Sequence, residues 1–319
     1  MKVSVVIPCF NEQEVLPELF RRLTAAAQTW ECDWEVICID DGSRDSTWSM
    51  LAAQQKQDSR WRSLSFARNF GHQTAVSAGI YHADADAVMV IDADLQDPPE
   101  ELIRFIKKWR EGFEVVYAIR EKRKEGWFKR ACYWLFYRLM SRVVSFEIPQ
   151  DSGDFCIMDR RVVEVLNSMP ERNRFVRGLR AWSGFRQTGL SYERQARAAG
   201  NAKYNFRKLM KLASDGIFSF STSPLKLVAQ AGMWISAVSV LGIFWVLVTK
   251  VFGDFFSRHG FPPVQGFTTI VILILFLGGI QMMSLGIIGE YIGRIYDEVK
   301  RRPPWIIQNT TGIESKDPR

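Results

Sequence analysis

Charge is missing from two long stretches of this 319-residue chain: residues 227–249 and 267–289 contain no Asp, Glu, Lys or Arg. At about 1.5 Å of rise per residue, each would cross a hydrocarbon core of about 30 Å as a helix. Two transmembrane helices are therefore expected, at about 227–250 and 267–290. Gln230 and Gln281 are polar, but no ionisable residue lies in either stretch, which argues against a conducting path. Cysteine is scarce as well. Cys9, Cys32, Cys38, Cys132 and Cys156 are odd in number and form no CxxC pair, which excludes a zinc framework or a disulfide scaffold and points to a reducing compartment. Neither GxxxxGK[ST] nor a GxGxxG after the first strand is present, so ATPase and nicotinamide chemistry drop away. RNP, zinc-finger and basic-zipper patterns are absent too, and no nucleic-acid partner is expected. The apolar run at 3–8 is too short for a signal sequence and ends at Pro8, so it reads as a first strand with no cleavable leader. No internal repeat suggests a solenoid.

Positive charge is abundant, giving a formal net charge of +7. Arg207, Lys208, Lys211 and Lys226 precede the first charge-free stretch, and Arg294, Lys300, Arg301 and Arg302 follow the second. Between them lie only Lys250 and Arg258, with His259. The positive-inside rule then puts both ends in the cytoplasm. The expectation is a multi-pass protein of the inner (cell) membrane with the lipid bilayer as a partner. Residues 1–226 would form a cytoplasmic domain, 227–293 the two spans and 294–319 a cytoplasmic tail. Pro303-Pro304 and the small polar residues after them suggest a mobile extension. Gly278, Gly279, Gly286 and Gly289 would let helices pack closely, as in a homo-oligomer.

In the first 120 residues, β-branched runs alternate with helical patterns. Strands are predicted at 3–8, 35–40, 62–67, 87–92 and 114–118, and helices at 15–27, 47–57, 74–83 and 100–111. Strict alternation predicts an α/β fold on a mostly parallel sheet. Ligands of such sheets sit beyond the carboxyl ends of the strands. There the chain places Pro8-Cys9-Phe10-Asn11-Glu12, Asp40-Asp41-Gly42-Ser43, Arg68-Asn69-Phe70-Gly71-His72 and Asp92-Ala93-Asp94-Leu95-Gln96-Asp97. Asp45 and Ser46 read as helix-capping residues. Asp92 and Asp94, two apart after an apolar strand, would face the same side and repel unless a cation lay between them. With Gln96 they form a candidate site for a hard ion, Mg²⁺ or Mn²⁺, that also meets phosphate oxygens. That suggests a nucleotide diphosphate.

A second concentration of charge follows the fifth strand: Arg120, Lys122, Arg123, Lys124, Lys129 and Arg130 against Glu121 and Glu125. The segment 127–144 is rich in aromatic residues, with Arg130, Arg138 and Arg142 on about one third of a helix circumference, the pattern of an interfacial helix. Arg120 and Arg130, with Arg123 after them, are candidate contacts for a lipid phosphate.

Taken together, Val6-Ile7-Pro8 with Asn11-Glu12, Asp40-Asp41-Gly42-Ser43, Arg68-Asn69-Phe70-Gly71 and Asp92-Ala93-Asp94-Leu95-Gln96-Asp97-Pro98 resemble family 2 glycosyltransferases. More narrowly, the chain resembles their polyprenyl-phosphate branch of bactoprenol glucosyltransferases and dolichol-phosphate mannose synthases. The resemblance implies the GT-A fold and a metal-dependent, inverting transfer of a hexose, glucose first, from a UDP-sugar to polyprenyl (undecaprenyl) phosphate. It places Pro8, Phe10, Glu12, Asp40 and Asp41 around the base and ribose, and Asp92, Asp94 and Gln96 at the metal and diphosphate. It implies that Lys203, in Gly200-Asn201-Ala202-Lys203-Tyr204, covers the donor diphosphate, with Arg207 nearby. Asp154, in Gln150-Asp151-Ser152-Gly153-Asp154-Phe155, would orient the acceptor or a sugar hydroxyl. Asp94, Asp154 and Arg120 are then the expected catalytic residues. Two alternatives stay open: a membrane glycosyltransferase acting on a polysaccharide or another lipid, and a non-enzymatic scaffold or transporter subunit.

Overall fold

The computed structural model describes residues 1–120, 152–172, 174–192, 267–314 and 316, with a discontinuous set of helical positions between 225 and 248. The chain divides into two units, Met1–Ser219 with Arg301–Arg319, and Phe220–Lys300.

In the first unit, β1 (Lys2–Cys9), β2 (Asp33–Asp40), β3 (Trp61–Phe66) and β4 (Ala87–Val90) alternate with α1 (Leu16–Ala27), α2 (Thr47–Gln57) and α3 (His72–His82). A single 3₁₀ turn at Pro99–Glu101 leads into α4 (Leu102–Arg110). Then come β5 (Val115–Arg120), β6 (Ser152–Asp159), α5 (Arg160–Ser168), α6 (Val176–Trp182), β7 (Gln187–Tyr192) and β8 (Ile307–Thr311). The strands form one sheet in the order β7-β5-β6-β4-β1-β2-β3-β8. Pairing is parallel from β4 through β1 and β2 to β3, and again between β5 and β7. It is antiparallel where β6 and β8 join. The central strands are covered on both faces, so Val3, Val5, Val6 and Ile7 are fully buried and the first strand reads as one apolar run. The predicted α/β fold with a mostly parallel sheet is present, and the carboxyl ends of β1, β2, β3 and β4 lie side by side.

The helices lie close on this sheet. A Cβ added at Gly79 in α3 would stand 2.2 Å from Cγ1 of Val6, so α3 rests directly on β1. At the first crossover, the carbonyl of Glu12 accepts from the amides of Val15 and Leu16 and begins α1. One predicted boundary moves at the site. The strand expected to reach Asp92 ends at Val90 with one further bond, Ile91 N–H to the Val6 carbonyl. The acidic residues therefore sit in a turn in which Leu95 adopts φ +58°.

The tail differs more. Residues 307–311 are a sheet strand, paired antiparallel with β3, and Trp305 before it is buried at 4% exposure. Trp305, Ile306 and Ile307 carry apolar surface that the count of small polar residues passes over.

The second unit contains α7 (Phe267–Val299), with Met282, Met283, Leu285, Ile292 and Ile295 among its exposed side chains. A Cβ added at Gly278, Gly279, Gly286 or Gly289 would meet nothing. The expectation of two transmembrane helices, and of a multi-pass inner-membrane location with a cytoplasmic domain, is corrected here. Among the described residues, no helix is long and apolar enough to cross a membrane. Where the side chains of α7 are described without interruption, from 276 to 299, glycines, Gln281, Ser284, Glu290, Arg294, Asp297 and Glu298 dilute the apolar residues. The first charge-free stretch is described only at a discontinuous set of helical positions, and the segment 127–144 lies outside the described residues.

Candidate active site

Short bonds knit the loops at the carboxyl ends of β1 and β2. The amide of Asp41 donates to the Cys9 carbonyl at 2.8 Å, and the amide of Asn11 to Ser43 Oγ at 2.9 Å. The amide of Glu12 donates to Thr47 Oγ1 at 2.9 Å, and Asn11 Oδ1 accepts from the Arg44 amide at 2.9 Å. Asn11 holds φ +54° to do this, a conformation that asparagine tolerates better than most residues. Asp40 accepts from the Ser43 amide and from Ser65 Oγ, both at 3.0 Å. The structure thus brings Pro8, Phe10, Glu12, Asp40 and Asp41 to one end of the sheet.

Asp41 also organises the third loop. Its carboxylate accepts the amides of Phe70 at 2.6 Å and Gly71 at 2.9 Å, while its carbonyl accepts from Asn69 Nδ2 at 3.2 Å. Burial pushes the Asp41 carboxyl above its ordinary pKa, and the two amides oppose that rise. Gly42 makes the fit possible. It has φ +68°, and a Cβ there would lie 2.5 Å from the carbonyl carbon of Arg68.

Next to this cradle is a charged cluster. Asp154, on β6, receives Arg177 Nε at 2.7 Å and a second Arg177 nitrogen at 3.1 Å. Gln73 Nε2 donates to it at 3.0 Å, and His72 Nε2 lies 3.2 Å away. His72 is also 3.7 Å from Asp92 Oδ1. Burial favours neutral imidazole, but the Asp154 hydrogen bond and the Asp92 and Asp154 charges push His72 up to about 9. Burial likewise opposes ionisation of Asp154, yet Arg177 and His72 hold it well below the usual carboxylate range. The expected acceptor-orienting Asp154 is thus the anchor of Arg177, Gln73 and His72. Arg177 was not legible in sequence: it lies 23 residues beyond Asp154 in an arginine-rich segment with no local pattern to single it out. His72 adjoins the Arg68–Gly71 motif, which placed it near the site without revealing its partners.

Asp92, Asp94 and Gln96 lie together in the turn after β4, and Asp94 Oδ1 accepts the Gln96 amide at 3.2 Å. Asp92 Oδ1 is buried and accepts no hydrogen bond. Burial pushes the Asp92 carboxyl up, with Asp97, Asp154 and Asp94 adding to the rise against His72. A buried acceptor without a donor fits a cation, and carboxylate and amide oxygens suit a hard divalent one. Among the described residues no group of three His, Cys, Asp or Glu side chains is placed to enclose a metal. Arg120 closes β5; its side chain, with Arg123, Arg130, Lys203 and Arg207, lies outside the described residues.

The comparisons match this architecture. The family model described as Glycosyl transferase family 2 matches residues 4–166, the span that contains β1 to β4 and Asp154. The GtrB C-terminal hairpin matches residues 223–295. The chain is 44% identical to the uncharacterized glycosyltransferase YkcC of Bacillus subtilis, over 99% of this chain and 96% of that protein. It is 41% identical to the bactoprenol glucosyl transferase of Shigella phage SfV, over 97% and 99%. It is 40% identical to the prophage bactoprenol glucosyl transferase homolog of Escherichia coli, again over 97% and 99%. With the matched span supplying the strands and acidic loops of the site, the chain belongs to glycosyltransferase family 2.

Proposed function

We propose that this glycosyltransferase moves a hexose, glucose, from a UDP-sugar to a polyprenyl phosphate such as undecaprenyl phosphate. The observation that carries the reading is Asp92 Oδ1, buried and without a hydrogen bond, beside Asp94 at the carboxyl end of the sheet. Full-length similarity to proteins named bactoprenol glucosyl transferase supports the sugar and the lipid acceptor.

Pro8, Phe10, Glu12, Asp40 and Asp41 bind the base and ribose in this reading, within loops that the Asp41 bonds to Phe70 and Gly71 hold in place. Asp92, Asp94 and Gln96 would hold Mg²⁺ or Mn²⁺, which when bound supplies positive charge to the donor diphosphate. Arg120, Arg123 and Arg130 contact the acceptor phosphate, and Lys203 and Arg207 the donor diphosphate. The acceptor phosphate is ionised near neutral pH, so its oxygen attacks the anomeric carbon without a strong general base. The bond from that carbon to the nucleoside diphosphate breaks, the diphosphate departs with the electron pair, and the configuration inverts. Asp154, already engaged by Arg177 and His72, keeps these cations in place and takes up no proton.

The test is transfer of label from UDP-glucose, GDP-mannose and UDP-galactose to undecaprenyl phosphate by the full chain in detergent. Labelled lipid from UDP-glucose is the expected result. Lipid product from another donor would correct the sugar. No lipid product from any donor would overturn the reading in favour of a polysaccharide acceptor.

A further inference from the structure

We infer that the C-terminal strand is a positioning element for the nucleotide end of the site, acting through Trp305 on the loop that holds Asp41. The inference rests on the donor-site reading above, and four contacts carry it.

First, the carbonyl of Ile306 accepts from the amide of Ala67 at 2.9 Å. The tail is thus bonded to the residue immediately before Arg68-Asn69-Phe70-Gly71. Second, the Trp305 ring stacks on Phe66 with centroids 6.4 Å apart and planes 16° apart. Phe66 in turn meets Phe70 edge-on at 5.6 Å. Phe70 carries the amide that bonds Asp41 at 2.6 Å, so one aromatic relay joins the tail to that carboxylate. Third, Trp305 packs against Tyr81 at 5.9 Å and His82 at 6.5 Å, at the C-terminal end of α3. That helix begins at His72, directly after Gly71. Fourth, the Lys316 amide donates to His82 Nε2 at 3.2 Å, which ties the chain beyond β8 to the same helix. The tail therefore grips both the strand that enters the Asp41 loop and the helix that leaves it.

A strand that merely covered a sheet edge would stabilise β3 and leave the Asp41 bonds unchanged. The two roles separate experimentally. Amide hydrogen exchange would be followed in the full chain, Trp305→Ala and Trp305→Phe, with UDP affinity measured by calorimetry. In Trp305→Ala, exchange at the Phe70 and Gly71 amides is expected to accelerate about tenfold and UDP to bind about tenfold more weakly. Exchange at Val162, Val163 and Leu166 in α5 stays within about twofold, because local opening does not require global unfolding. Trp305→Phe, which keeps an aromatic ring on Phe66, restores most of both. Unchanged exchange at Phe70 and Gly71, or equal acceleration in α5, would overturn the inference. If Trp305→Ala does not fold, Trp305→Leu carries the same expectations. A wild-type chain that binds no UDP defeats the donor reading, and the exchange comparison still decides the role of the tail.

Discussion

Arg177, Gln73 and His72 all turn nitrogen atoms to Asp154, whose side chain is only 6% exposed. A buried carboxylate is tolerable because its partners stay with it, so removing one leaves a charge that water cannot reach. Arg177→Ala is expected to cost about 3–5 kcal/mol of folding stability by denaturant unfolding. The double variant Arg177→Met with Asp154→Asn should recover much of that loss, since no unpaired charge remains. His72 gives the cluster a pH dependence. Its pKa rises on folding from the ordinary 6.5 to about 9, so its contribution is full below 6.5 and is lost as pH climbs through 9. Without divalent cation, the stability difference between the wild type and His72→Gln should be largest below about pH 6.5 and vanish above about pH 9.5. The sequence showed Asp92, Asp94 and Gln96 because acidic residues after an apolar strand leave a local trace. It did not show that Asp154 is spent on Arg177, because that pairing forms only when β6 and α6 pack together.

Elements meet at a few close approaches, and these fix how α3 and the Asp41 loop sit. Gly79 is the clearest, since a Cβ would fall 2.2 Å from Val6 Cγ1 on fully buried β1. Gly79→Ala is expected to destabilise the protein by about 1–3 kcal/mol in denaturant unfolding, and adding Val6→Ala should return part of it. Most of the core elements were legible. Buried parallel strands are unbroken apolar runs, while helices over them repeat about every 3.6 residues. The strand at 307–311 was not, because Ile307–Thr311 joins the sheet only along β3 and keeps Gln308, Asn309 and Thr310 exposed. Its anchor, Trp305, precedes the strand and so leaves no alternation to read. The end of β4 was overread by two residues for a related reason: the apolar run reaches Ile91, while the sheet pairing stops at Val90.

At the scale of the whole chain, the charge-free stretches set an expectation of membrane spans that the described helices do not meet. The part of α7 whose side chains are described without interruption, 276–299, runs past the charge-free stretch and includes Glu290, Arg294, Asp297 and Glu298. The catalytic assignment rests elsewhere, on ordered motifs at four adjacent strand ends. Those motifs were legible because each loop follows its strand directly in sequence, and the family match covers them. The central claim is that the acidic turn after β4 serves hexosyl transfer to a lipid phosphate. The measurement that tests it most directly is the rate of labelled-lipid formation by wild type and Asp94→Ala, after chelation and on re-addition of Mg²⁺ or Mn²⁺. The account predicts that chelation abolishes wild-type product, that the cation restores it, and that Asp94→Ala lowers the rate at least about 100-fold. A chelated wild type that makes lipid product at full rate, or an Asp94→Ala variant as active as the wild type, would contradict it.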